Sequence, residues 1–180
     1  MKSRILLPAA LGLASAAAFA SEVQTSAGSM AITPVFRGFS EPWALEFLPD
    51  ATVLVTERDG RLWHIVGDKA FTVSGLPEVL PVGQGGLLDV MIPRDFATTR
   101  EVWLTYSVAQ GRGSGTAVGK GRLADDGRSL EGFVTLFESP RGSSDGRHFG
   151  SRLVEAPDGS VFLTVGDRGT GPDGLQAQDP

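Results

Sequence analysis

The sequence predicts a nearly all-β chain of short, meandering strands. Three observations carry that reading. Beyond residue 40, apolar or alternating segments of 4–8 residues recur without a sustained 3.6-residue period. Each segment is closed by Pro, Gly or Asp. The chain has no Asn, yet Asp-Gly occurs five times, beginning at Asp59, Asp126, Asp145, Asp158 and Asp173. This dipeptide favours tight hairpins because Gly takes a positive φ without steric cost.

In chain order, Lys2 and Arg4 precede an apolar run from Ile5 to about Ala17, and Ala18-Phe19-Ala20 supplies a small-x-small pattern. This reads as a signal peptide over residues 1–20, cleaved after Ala20, with a periplasmic or secreted product. The run is shorter than the roughly 20 residues of a membrane span, and no second such stretch follows, so no membrane span is expected. Ser21 to about Thr33 is small and polar and reads as a loose lead-in, so that residues 21–40 precede a domain over 41–180. Trp43–Leu48, Thr52–Thr56, Leu62–Val66 and Ala70–Val73 are four strands separated by Pro49-Asp50, Asp59-Gly60 and Gly67-Asp68. Leu87–Ile92, Glu101–Ser107, Gly115–Leu123 and Phe133–Phe137 form a second set of four. Gly150–Glu155 and Val161–Val165 begin a third around Pro157-Asp158-Gly159.

A strand ending in a Pro/Asp turn recurs at 49, 93 and 157. Those spacings are comparable to a β-propeller blade of about 40–50 residues plus insertions. A propeller needs about four or more blades, whereas two and the opening of a third are present, so the chain is expected to be the N-terminal piece of a longer protein. A small sandwich of about ten strands is the alternative that the length allows.

Composition narrows the function. The 180 residues are 41% hydrophobic and 21% charged, as in an ordinary globular core. Sixteen Lys and Arg against 21 Asp and Glu give a formal charge of −5, the wrong sign for a nucleic-acid binder. With no Cys, disulfides, thiolate metal sites and cysteine nucleophiles are excluded, and two His, His64 and His148, rule out a His-rich metal cage. Gly119-Lys120-Gly121 lacks the Ser/Thr and following helix of a phosphate loop, and no Asp-x-Asp-x-Asp calcium loop is present.

Residues 141 to 170 hold the densest polar cluster: Arg141, Ser143, Ser144, Asp145, Arg147, His148, Arg152, Asp167 and Arg168, flanked by glycines. A two-residue turn at Asp158-Gly159 makes paired positions sum to 317, and His148 and Asp167 sum to 315. They should lie nearly opposite each other at the open end of the hairpin. A carboxylate there can orient an imidazole and stabilise its cation after proton transfer, as in general base catalysis; a structural His–Asp bond is the alternative. Gln84, between glycines just before a strand, can donate and accept at once, which suits a sugar hydroxyl or a quinone oxygen; a simple turn is the plainer reading. His64, beside Trp63 with no nearby partner in sequence, reads as structural or surface.

Five segments together carry a resemblance: Pro42-Trp43-Ala44-Leu45-Glu46-Phe47-Leu48-Pro49-Asp50, Val55-Thr56-Glu57 with Gly60-Arg61-Leu62, Gly83-Gln84-Gly85-Gly86-Leu87-Leu88-Asp89-Val90, Gly146-Arg147-His148-Phe149-Gly150-Ser151-Arg152-Leu153, and Gly166-Asp167-Arg168-Gly169. In order and spacing, from about Pro42 to the end, the chain resembles the soluble glucose/sorbosone dehydrogenase family, most closely its aldose sugar dehydrogenase branch. The resemblance implies a six-bladed β-propeller quinoprotein, of which this chain supplies about two and a half blades. It further implies pyrroloquinoline quinone (PQQ) and calcium as cofactors, an external electron acceptor, and oxidation of the anomeric hydroxyl of aldose sugars to lactones. On this basis His148 is the general base and Asp167 its supporting carboxylate, while Gln84, Arg147 and Arg168 are cofactor- or substrate-binding. Arg147 stands where the glucose-specific branch has Asp, which favours a broader aldose range. The calcium ligands are expected in the C-terminal half that this chain lacks, and the 180 residues alone are expected to be inactive. A secreted propeller that binds carbohydrate or protein without redox chemistry is the alternative.

Overall fold

The computed structural model describes residues 21–140 and 142–169. The signal peptide read at 1–20, Arg141, the Asp173-Gly174 turn and the stretch from Gln176 to Pro180 lie outside the described residues. The chain divides into two units, Met1–Arg37 and Gly38–Pro180.

In the first unit, β1 (Ser21–Thr25) and β2 (Gly28–Ile32) pair antiparallel from Ser21↔Ile32 to Thr25↔Gly28. The stretch read as a loose lead-in is therefore a hairpin. Thr25 Oγ1 donates to the Gly28 carbonyl at 2.8 Å, and Gly28 turns with φ 118°. Every residue of both strands is exposed, so no burial pattern marked the pair in the sequence.

In the second unit, β3 (Pro42–Phe47), β4 (Val53–Glu57), β5 (Arg61–Val66) and β6 (Lys69–Val73) form one antiparallel meander. A second comprises β7 (Leu87–Met91), β8 (Glu101–Gln110), β9 (Gly113–Leu123) and β10 (Leu130–Glu138), and β11 (Leu153–Glu155) with β12 (Val161–Leu163) opens a third sheet. One helical turn, α1 (Phe96–Thr99), precedes β8. Strands β8 and β9 run on to Gln110↔Gly113, beyond the ends expected from the sequence. The glycines within β9 are accommodated because their missing side chains leave room for neighbours. A Cβ on Gly119 would sit 2.5 Å from the Val134 carbonyl oxygen.

Strand alternation explains how the sheets stack. Along β8, Val102, Leu104 and Tyr106 point to one face and join Leu54, Leu62, Leu87, Val90 and Leu130 in a core shared with the first sheet. On the opposite face Met91, Trp103 and Val118 pack against Leu153, Val161 and Leu163 of the third sheet. Strands β7, β8 and β9 of the second sheet are thus covered on both faces, which a two-sheet sandwich does not provide, while β10 at its edge is largely exposed. Leu54, Leu62, Leu87, Val102 and Leu104 are each 0% exposed, and burial of such a side chain stabilises by roughly 1.5–3 kcal/mol.

Polar ties join the sheets. Thr56 on β4 donates through Oγ1 to the Leu88 carbonyl of β7 at 2.6 Å. Asp89 of β7, only 3% exposed, accepts from Leu153 N at 2.7 Å and from Arg152 Nη1 at 2.8 Å. His64 has a structural role: it is buried on β5, with Nδ1 3.2 Å from the Gly127 carbonyl and Nε2 2.8 Å from Thr52 Oγ1.

Candidate active site

Three loops on the second and third sheets bring the polar cluster together: residues 83–86 before β7, 142–152 before β11, and 164–169 after β12. Their approach is close because glycines line the contacts. A Cβ on Gly83 (φ 61°) would fall 2.1 Å from the Gly146 carbonyl oxygen, and one on Gly166 would fall 2.3 Å from the carbonyl oxygen of His148. The intact backbone instead lets Gln84 N donate to the Gly146 carbonyl at 2.7 Å.

The hairpin register brings His148 and Asp167 together by a slightly different route from the one expected. Strands β11 and β12 pair as Leu153↔Leu163, Val154↔Phe162 and Glu155↔Val161, a sum of 316 and not 317. The loop holds three residues, Pro157-Asp158-Gly159, with Gly159 at φ 86°, the familiar three-residue hairpin with a left-handed last position. Past Leu153, Ser151 turns at φ 89° and its N–H donates to the Thr164 carbonyl at 2.7 Å, which shifts the register to 315. His148 and Asp167 have the same sum.

His148 Nδ1–H donates to Asp167 Oδ1 at 2.6 Å. The same oxygen accepts from Gly169 N at 2.9 Å. These two bonds, the backbone one first, hold the Asp167 carboxyl below its ordinary value, so it is ionised at neutral pH. An ionised partner at Nδ1 fixes the tautomer with the lone pair on Nε2. The His148 side chain is 50% exposed, so Nε2 can meet a ligand. His148 itself sits at φ 54°, a left-handed conformation unusual for a residue other than glycine.

The other expected site residues divide into two kinds. Gln84 is exposed, and its Oε1 accepts from the His148 backbone N–H at 2.8 Å. That bond orients the carboxamide, and its Nε2 makes no hydrogen bond among the described residues. Arg147 is exposed and pairs with Asp145 at 2.9 Å over Gly169. Arg168 departs from the expectation. It is 2% exposed, donates to the carbonyls of Arg147 and Ser114, and lies with its guanidinium 3.5 Å over the Phe149 ring. Burial pushes its pKa down. An arginine enclosed in this way cannot also reach a cofactor or sugar, so it is a frame residue of the site.

The chain reading missed Ser114, Phe149 and Asp89. Ser143 Oγ donates to the Arg168 carbonyl at 2.7 Å, which closes the frame. The only sequence signal for it was the run of glycines at 83, 85, 86, 146, 150, 166 and 169, which marks loops that must approach closely.

Comparison with known proteins gives the arrangement a context. The sequence pattern of the Glucose / Sorbosone dehydrogenase family matches residues 39–180. The aldose sugar dehydrogenase YliI of Escherichia coli K12 is 45% identical over 135 residues, covering 73% of this chain and 36% of that protein. The apo crystal structure of the soluble aldose sugar dehydrogenase from Escherichia coli superposes with a TM-score of 0.68 at 44% identity, over 73% of this chain and 39% of that one. The PQQ-bound aldose sugar dehydrogenase of Streptomyces coelicolor superposes with a TM-score of 0.66 at 25% identity, over 75% and 40%. The chain therefore spans little more than a third of the curated relatives it matches. The stacked meanders are blades of the β-propeller these enzymes share, two complete and a third begun. The chain belongs to the glucose/sorbosone dehydrogenase family.

Proposed function

We propose that the full-length protein is a quinoprotein that oxidises the anomeric hydroxyl of aldose sugars to lactones, with His148 as the general base. The observation that carries this reading is the 2.6 Å contact between His148 Nδ1 and an ionised Asp167, with the ring half exposed. Nε2 takes the proton of the sugar hydroxyl while C1–H leaves as hydride, and Asp167 stabilises the imidazolium that forms. Gln84 Nε2 and Arg147 are donors on the adjacent loops, suited to sugar hydroxyls or carbonyl oxygens. The names of the Escherichia coli and Streptomyces coelicolor relatives support the substrate class and the cofactor.

The donor set fits one edge of a planar, anionic, carbonyl-rich quinone: an imidazole Nε2, a carboxamide and an arginine, all exposed. When bound, PQQ supplies the two-electron acceptor for the hydride, to be reoxidised by an external acceptor. Among the described residues no three His, Cys, Asp or Glu side chains cluster as a metal site, and the calcium ligands are proposed to come from elsewhere in the full-length protein.

The export signal read at residues 1–20 supports a periplasmic or secreted location. Trp43, Leu45 and Phe47 on β3 are 46%, 55% and 62% exposed. An open apolar face of that kind supports the expectation that residues 1–180 expressed alone are inactive and prone to aggregate.

Dye-linked aldose oxidation by the full-length protein with added PQQ and calcium tests the reading. Activity should require the quinone and fall by about 10²–10⁴ in His148→Ala. Sugar binding without quinone-dependent turnover would refute it in favour of a binding module.

A further inference from the structure

We infer that Arg168 is a positioning residue for the base, an inference that rests on the reading of His148 just given. Its side chain engages both neighbours of His148 in the chain. Nη1 donates to the Arg147 carbonyl on one side, and the guanidinium plane covers the Phe149 ring on the other at 3.5 Å. Nη2 anchors the clamp to the carbonyl of the buried Ser114 on β9 at 3.1 Å. Between the two gripped residues His148 is held at φ 54°, and Arg168 turns at φ 56°, which sets the preceding Asp167 opposite the imidazole. Neither residue is glycine, so surrounding contacts must hold both in the left-handed region.

The burial of the guanidinium makes sense on this account. Arg168 is 2% exposed, no carboxylate forms an ion pair with it among the described residues, and its Nε has no hydrogen-bond partner among them. Burying the cation costs more than the neighbouring Asp167 carboxylate returns, so its pKa falls, and an apolar residue would fill the space more cheaply. What an apolar residue cannot do is donate to two carbonyls while stacking on a ring. A lysine cannot do both either, because a compact ammonium has neither the fork nor the flat face.

The test uses the full-length protein with ¹⁵N-labelled histidine, as wild type, Arg168→Lys and Phe149→Leu. The first readout, taken without PQQ, is the His148 Nδ1–H resonance. The second is kcat and KM for aldose oxidation with PQQ and calcium, and the third is Tm. A displacement of about 1 Å at a reacting group costs on the order of 100-fold in rate. Arg168→Lys should therefore lower kcat about 100-fold, leave KM within about threefold, and shift or broaden the His148 signal. Phe149→Leu should move the same two readouts in the same direction and decides the matter if Arg168→Lys does not fold. A lower Tm with the His148 signal and kcat unchanged would overturn the inference. If the wild type oxidises no aldose, the functional reading fails, and the His148 resonance alone then decides whether Arg168 sets the imidazole.

Discussion

Replacing Asp89 by Ala should loosen the third sheet selectively. Asp89 is 3% exposed, and its two oxygens accept from Leu153 N at 2.7 Å and Arg152 Nη1 at 2.8 Å. Its own N–H donates to Thr105 Oγ1 at 2.8 Å, and that hydroxyl donates to the Ser151 carbonyl at 3.0 Å. Truncation leaves the buried Leu153 N–H without an acceptor, a loss of about 1–3 kcal/mol. The Arg152 side chain is 65% exposed, so its share is that of a surface pair, up to about 1 kcal/mol. The two contributions sum to about 1–4 kcal/mol, and the middle of that range, about 2–3 kcal/mol, makes local opening roughly 30- to 150-fold more frequent. Hydrogen exchange by mass spectrometry on the full-length protein reads this directly. Peptides across residues 150–165 should exchange faster by that factor, while those across 53–73 stay as in wild type. Arg152→Ala should accelerate the same peptides by no more than about fivefold. An acceleration under threefold in Asp89→Ala, or one of equal size in both regions, would refute the assignment of Asp89 as the pin between these sheets.

Two further outcomes follow from single residues. Gly83→Ala places a Cβ 2.1 Å from the Gly146 carbonyl oxygen at φ 61°, so it should cost about 1–3 kcal/mol, visible as a fall in Tm, and reduce aldose turnover by displacing Gln84 from His148. Burial pushes the His64 pKa below its ordinary value; the folded state then holds fewer protons than the unfolded one, so stability present above about pH 6.5 is lost as pH falls through the folded pKa. Tm measured from pH 8 to 5 should decline in wild type and decline less steeply in His64→Gln.

The blades were legible because strand alternation and turn chemistry are local properties. Asp59-Gly60, Asp126-Gly127, Asp145-Gly146 and Asp158-Gly159 all turn at glycines of positive φ, as the dipeptide demands. The β1–β2 hairpin was not legible, since neither strand buries a face. The far ends of β8 and β9 were obscured by glycines that serve packing. The pairing of His148 with Asp167 could be read from hairpin arithmetic, although the turn has three residues and a shift at Ser151 restores the sum. Arg168 was misread because an arginine beside a site carboxylate looks like a ligand contact. Its burial depends on Ser114, 54 positions earlier, and Phe149. No local pattern encodes such a contact.

The span of the bonds that hold the base has a consequence for how the protein fails. Each blade closes through neighbouring hairpins, so its contacts are short in sequence and re-form readily. The Gln84–His148 and Asp89–Leu153 bonds each join residues 64 positions apart, and such contacts carry the higher entropic cost of closing a long loop. The loops they tie open at a lower free energy than the core strands of the blades. Under gentle heating or low urea, turnover should disappear while far-ultraviolet dichroism still reports intact sheets, which makes activity the earlier alarm.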